Sequence, residues 1–181
     1  MNAGPVPARL DSHAGDRILK VNHAGEHGAV AIYSGQLLAG RLRARMLLAE
    51  LAEFKAHEER HRSIFARELE RRGVGRCRSY WLCGAGGFVL GILTGLLGQQ
   101  AMATTTVAVE RVVLRHLERQ LSELGQTDRA AVTAISAIVG DEREHHDRSA
   151  ARAGQGGTLS RMLAACVSGA TEAVIWIGMR V

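Results

Sequence analysis

A chain of 181 residues is long enough for one domain with a sizeable core and requires no second one. Its three cysteines, Cys77, Cys83 and Cys166, show neither paired nor metal-ligand spacing, which argues against a disulfide-stapled secreted domain and against a zinc site. The net charge of +5 is carried by arginine, Lys20 and Lys55 being the only lysines among 23 basic residues, and aromatics at 4% leave little for a nucleic-acid face.

Residues 1–15 read as a polar arm holding both prolines, Pro5 and Pro7, without the apolar stretch of a secretory signal, so the chain is expected to be complete and intracellular. Residues 16–181 are expected to form one all-α domain, because a long proline-free sequence rich in Ala, Leu, Arg and Glu favours helices. Ile18, Leu19, Val30, Tyr33 and Leu37 predict a helix over 16–40, and Leu47, Leu51, Phe54, Phe65 and Leu69 a second over 42–72, stopped by Gly73 and Gly75. Arg67, Arg71, Arg72, Arg76 and Arg78 then abut a charge-free run from Ser79 to Val109, a juxtaposition that suits anionic lipid headgroups before nucleic acid and equally a solvated helix face. That run divides into a glycine-rich helix near 80–98 and the start of another near 100–123. Residues 127–152 predict a further helix, with Thr127 before Asp128 as its N-cap, and residues 158–179 a last, apolar one.

One pattern occurs twice. Glu26 is followed by Glu58 and His61, and Glu110 by Glu142 and His145; each glutamate pair is 32 residues apart, each Glu-x-x-His step is three, and a shift of 84 maps one triplet onto the other. Residues i and i+3 of a helix share a face about 5–6 Å apart, close enough to bind one ion together. Two glutamates from two helices plus two Glu-x-x-His steps from two others is the ligand set of ferritin-like di-iron and di-manganese bundles. Four carboxylates offset most of the charge of two divalent ions, and two neutral imidazoles leave positions where oxygen can bind. The expected metal ligands are therefore Glu26, Glu58, His61, Glu110, Glu142 and His145. Glu59, Glu144, His57 and His146 fall on other faces and are not expected among them. Asp141, one turn before His145, is either the acceptor for the other ring N–H of that histidine or a surface charge. Gly25 and Gly28, flanking Glu26 inside a helix at about 1 kcal/mol each relative to alanine, imply close helix approach there.

At these residues the sequence resembles the demethoxyubiquinone hydroxylase family, di-iron monooxygenases that add the penultimate hydroxyl to the quinone ring in ubiquinone biosynthesis. The resemblance runs through Asn22-His23-Ala24-Gly25-Glu26, Glu58-Glu59-Arg60-His61, Trp81 with the glycine run from Gly87 to Gly98, Ala101-Met102-Ala103, Thr106-Val107-Ala108-Val109-Glu110, and Asp141-Glu142 with His145-His146-Asp147. It implies a ferritin-like bundle, two iron ions on the same six residues, O2 as co-substrate and a polyprenyl quinone as substrate. It also implies His116 as a residue near the quinone. His27 stands where the family often has tyrosine, His116-Leu117-Glu118 where it has His-Tyr-Asn, and Gly178-Met179-Arg180 where it tends to serine before Glu-Arg.

The charge-free run of 31 residues exceeds the about 20 that a helix needs to cross a bilayer. A crossing between His61 and Glu110 would put the halves of the metal site on opposite sides, so the segment is expected to lie in the interface or on the bundle, with Gly87, Gly91 and Gly95 as a close-packing stripe. The expectation is a ferritin-like four-helix bundle with an additional membrane-associated helical segment, peripheral on the cytoplasmic side of a bacterial cell membrane and without a nucleic-acid partner. No glycine-rich strand-to-helix nucleotide fingerprint is present, so electrons are expected from a partner protein or the bound quinone. Iron storage, peroxide destruction, RNA hydroxylation or a pure membrane module would need, respectively, no lipophilic tunnel (the first two), a basic aromatic face, or none of the six ligands.

Overall fold

The computed structural model describes residues 12–180. These form seven α-helices: α1 (Ser12–Ala39), α2 (Leu48–Arg71), α3 (Tyr80–Leu97), α4 (Gln99–Leu124), α5 (Arg129–Ser136), α6 (Val139–Ala153) and α7 (Thr158–Gly178), with a 3₁₀ turn at Arg45–Leu47 before α2. Helix α1 begins at Ser12, four residues earlier than the sequence predicts, and the rest of the N-terminal arm lies outside the described residues. Helix α2 starts at Leu48 rather than 42, because the chain turns at Gly40, whose carbonyl accepts from the amides of Arg43 and Ala44.

The predicted helix over 127–152 is two. Its first turn is capped by Asp128, not Thr127: the Asp128 carboxylate accepts from the Ala131 amide at 3.0 Å, while the Thr127 hydroxyl donates back to the Leu124 carbonyl. At Ala137 and Ile138 the helix tightens, the Ile138 amide bonding Ile135 three residues back, and this re-aims the chain so that Ile135 and Ile138 are both fully buried. Arg72 holds the same corner from α2, donating twice to Asp128 at 2.7 Å and also to Glu68 and Asp16. Two of the five arginines before the charge-free run are thus engaged within the protein, since Arg71 also pairs with Glu68.

The duplication covers more than a helix pair. Helices α1 and α2 pack together, as do α4 and α6; α3 packs chiefly on α1, and α7 on α4. Each half therefore contributes two bundle helices and one apolar helix applied to the outside of its own first helix. Helices α1, α2, α4 and α6 make the four-helix bundle, whose apolar residues collect at two ends. Leu19, Phe65, Leu117, Ile135 and Ile138 fill one end, and Tyr33, Leu51, Phe54 and Met102 the other.

The glycine stripe explains how α3 seats on α1. A methyl group on Gly87 or Gly91 would overlap the carbonyl oxygens of Gly28 and Ile32, and one on Gly95 would lie 2.7 Å from the Ala39 Cβ. From the other side, Gly35 of α1 meets the backbone of Phe88 and Ile92. Gly28 belongs to this close approach, whereas Gly25 does not: it is exposed, and a Cβ there would meet nothing within 4 Å. At the start of α3, Tyr80 stacks on His27 with ring centroids 4.1 Å apart.

Substituting Gly91→Ala should therefore push α3 off α1 and lower unfolding stability by about 1–3 kcal/mol. Gly86→Ala on the same helix, where a Cβ meets nothing within 4 Å, should be neutral or stabilising by up to about 1 kcal/mol. Urea unfolding of the two variants tests this, and equal behaviour would contradict the packing.

Candidate metal centre

Between the two apolar ends of the bundle lie four glutamates, one from each of α1, α2, α4 and α6. Glu26, Glu58, Glu110 and Glu142 are at most 5% exposed, and His61 and His145, one turn beyond the second and fourth, at most 1%. The ligand atoms fall into two groups, each drawn within 4.8 Å: Glu26, Glu58, His61 and Glu142 in one, and Glu58, Glu110, Glu142 and His145 in the other. All six residues singled out by spacing are brought together, and Glu58 and Glu142 belong to both groups.

The polar atoms face one another without satisfying one another. His61 Nδ1 lies 2.8 Å from Glu142 Oε1, and His145 Nδ1 3.0 Å from Glu58 Oε1. The directions are nevertheless wrong for hydrogen bonds, and these four buried atoms have no hydrogen-bond partner. Leaving such groups unpaired costs about 1–3 kcal/mol each, more where charge is involved. Burial and the neighbouring carboxylates Glu58 and Glu142 push Glu26 well above the usual carboxylate range, and burial with Glu142 and Glu58 does the same to Glu110. Burial opposes the imidazolium at both histidines, but the facing carboxylates outweigh it and hold His61 up to about 10 and His145 up to about 9. Four buried carboxylates against two imidazoles, with oxygen and nitrogen atoms converging on shared points, fit two divalent cations.

Behind the histidines the structure corrects one expectation. Asp141 does not serve His145; its Oδ2 lies 3.0 Å from His61 Nε2. His145 Nε2 is met by His57 Nδ1 at 3.1 Å. Helices α2 and α6 run antiparallel, as the pairs Glu50–Arg152 and Arg60–Asp141 show. A ring nitrogen pointing away from the centre therefore reaches the opposite helix rather than its own. His57 was legible as the counterpart of Asp141 under the shift of 84. Tyr33 is a second polar group that an apolar reading of α1 conceals. It is seven residues past Glu26 on the same face, and its hydroxyl donates to Glu110 Oε1 at 3.4 Å.

A cavity of about 190 Å³ runs among α1, α3, α4 and α7 and reaches Glu26, Glu58, Glu110 and Glu142. Its walls are mostly apolar, among them Ile32, Leu90, Val113, Val167 and Val174, and Gly25 lies along it. The polar lining away from the glutamates includes His116 and the mutually bonded pair Asn22 and Gln120. His116 Nε2 is 2.8 Å from Glu172 of α7, which also pairs with Arg115. Leu117 lines the cavity too and continues into the apolar end of the bundle. The two helices that flank the cavity expose apolar side chains outward: Trp81, Leu82, Val89, Leu93 and Leu97 on α3, and Leu159, Met162 and Trp176 on α7. Among the described residues these two helices, and no others, are long and apolar enough to cross a membrane, although α3 is held by its glycine face to α1.

Comparison with known proteins gives this arrangement a lineage. Residues 13–178 match the family model of the ubiquinone biosynthesis protein COQ7. A 3-demethoxyubiquinol 3-hydroxylase of Rhodospirillum rubrum is 33% identical over 178 residues, covering 98% of this chain and 81% of the relative. An NADPH-dependent 3-demethoxyubiquinone 3-hydroxylase, mitochondrial, of Dictyostelium discoideum is 31% identical over 170 residues, 92% of this chain and 77% of the relative. The Mus musculus protein of that name is 30% identical over 151 residues, 81% of this chain and 68% of the relative. With a family match spanning nearly every described residue, the chain belongs to the COQ7 family of ubiquinone biosynthesis proteins.

Proposed function

We propose that this protein is an oxygen-dependent di-iron monooxygenase that hydroxylates the ring of a demethoxylated ubiquinone precursor at a membrane surface. The observation that carries the reading is the apolar cavity that runs between the two outward-apolar helices, α3 and α7, and reaches the four glutamates. Iron storage would need the glutamates but not such a cavity, and a membrane module would need the apolar helices but not the glutamates.

Glu26, Glu58, His61, Glu110, Glu142 and His145 would hold two iron ions, Glu58 and Glu142 being the two residues that belong to both groups. Bound iron would supply the activation of O2 that a protein side chain cannot. The chain's own residues do the rest. Tyr33 orients Glu110 by donating a hydrogen bond to one of its carboxylate oxygens. Asp141 and His57 hold the ligand rings in place from behind. The apolar cavity wall excludes water from the reacting ring, while Asn22, Gln120 and His116 offer hydrogen bonds to its oxygen substituents. Trp81, Leu93 and Trp176 would lie in the membrane interface, so that a polyprenyl tail stays in lipid while its head enters. Of the arginines before α3, Arg72 is held inside by Asp128 and Arg76 is set over the Tyr80 ring, so the exposed apolar side chains carry this docking together with the arginines that stay at the surface.

Expression in bacteria that accumulate the demethoxylated precursor for want of their own hydroxylase should restore ubiquinone, and Glu142→Ala should abolish the restoration. An unchanged precursor pool alongside folded, iron-loaded protein would refute the activity.

Metal uptake should also be coupled to protons. In the metal-free protein His61 and His145 stay protonated at pH 7, because their values, about 10 and about 9, lie above it. Coordination requires the neutral rings. Loading two divalent ions at pH 7 should thus release about two protons or more, and affinity should rise with pH through the neutral range. Calorimetry in buffers of different ionisation enthalpy measures the release, and none at all would mean that other atoms bind the metal.

Gly25→Leu should fill part of the cavity while favouring the helix, since leucine is the better helix former. The expected result is a rise in KM for the quinone of about tenfold or more with unchanged iron content and thermal stability. Unaltered kinetics would remove the cavity from the substrate path.

A further inference from the structure

The shift of 84 that superposes the ligand triplets also carries His57 onto Asp141, so equivalent positions hold chemically unlike residues. Each backs the histidine of the opposite half. His61 Nε2 is 3.0 Å from the Asp141 carboxylate, which Arg60 also approaches at 3.3 Å. His145 Nε2 is 3.1 Å from His57 Nδ1, and the two rings stack with centroids 5.2 Å apart. In both ligand rings Nδ1 faces the glutamates, so a neutral coordinating ring carries its hydrogen on Nε2 and donates it outward. One donates to a carboxylate and the other to an uncharged ring nitrogen. A hydrogen bond to an ionised acceptor is roughly twice as strong as one to a neutral acceptor, and it makes the donating imidazole the better metal ligand.

We propose that His57 is a positioning residue for His145, and that the unlike pair His57 and Asp141 makes the two metal positions unequal, the His61 side taking its divalent ion first. This rests on the metal-binding reading above. Asp141 Oδ2 lies 3.9 Å from His57 Nδ1, beyond hydrogen-bond distance, so the two supports sit side by side as a polar rail behind both histidines. At the Asp141 end the rail borders a polar cleft lined by Arg60, Ser63 and Arg67. The six ligands repeat residue for residue between the halves, whereas this rail does not, and it therefore gives the halves different metal-binding strength.

The test is a Co²⁺ titration of the metal-free protein followed by absorption and calorimetry. The native chain should fill in two resolved steps. His57→Ala should weaken the second step by about 10–100-fold and spare the first, and Asp141→Asn should weaken the first. His57→Asp should draw the two steps together, and His57→Gln, which keeps an acceptor, should recover most of the loss. Circular dichroism melts establish that each variant is folded. Steps that His57→Ala and His57→Asp both leave within about threefold of native would overturn the proposal, as would Asp141→Asn weakening the second step alone. In those cases Co²⁺ still binds and the metal reading stands; a native chain that takes up no Co²⁺ would sink that reading, and this inference with it.

Discussion

Four carboxylates buried at the centre of a helical bundle repel one another and cannot be left ionised there without compensation. Much of the rest of the structure answers that constraint. Glu26, Glu58, Glu110 and Glu142 sit between two apolar clusters, Leu19 and Phe65 toward one end and Phe54 and Met102 toward the other, where water cannot screen them. Within the chain their compensation is partial. Two imidazoles are drawn toward protonation, two carboxylates are pushed toward neutrality, and four polar atoms remain unpaired. Such a core is costly for a protein that does nothing with it and well suited to one that loads cations there, because metal binding then contributes directly to the stability of the fold.

The same constraint governs access. Under the function proposed above, a lipophilic ring needs an apolar route to the charged cluster, and the apolar cavity that reaches it runs beside α3 and α7, helices with exposed apolar side chains. Close contact between α1 and α3 is obtained by removing side chains altogether, with Gly28 and Gly35 on one helix against Gly87, Gly91 and Gly95 on the other. The apolar face of α3 is thereby left outside, free for an interface, while its glycine face is spent on the bundle. Helix α7, the counterpart of α3, is held on α4 by Glu172 and by the Ser168 hydroxyl, which donates to the Ala108 carbonyl. It buries fewer residues than α3, Val167 and Gly178 being its only buried members among the described residues.

The duplication is close in the ligands and loose elsewhere. Where the first half has the Gly40 turn and a 3₁₀ step before α2, the second has the short helix α5 and a tightened turn at Ala137 and Ile138 before α6. Both devices bring a Glu-x-x-His step to the same depth. The Arg72 clamp on Asp128, which also caps α5, fixes that depth in the second half and ties it to the first.

The sequence by itself determined the helical class, the positions of α3 and α4 to within a residue or two, and the grouping of six ligand-type residues. Helical period, glycine stops and a repeated spacing are local quantities, and a local reading recovers them. It could not assign the partners of the ligand histidines. Asp141 is nearest His145 along its own helix, yet an outward ring nitrogen meets whatever the antiparallel neighbour presents, which is Asp141 for His61 and His57 for His145. Nor could it separate Gly25 from Gly28, which are alike in propensity and differ only in whether another helix lies over them. Nor could it single out Arg72 from the arginine run as the one that the fold buries against Asp16, Glu68 and Asp128. Each of these was decided by tertiary structure for one physical reason: a side chain's partner is set by the direction in which its helix aims it across the bundle, and that direction depends on residues far away in the chain.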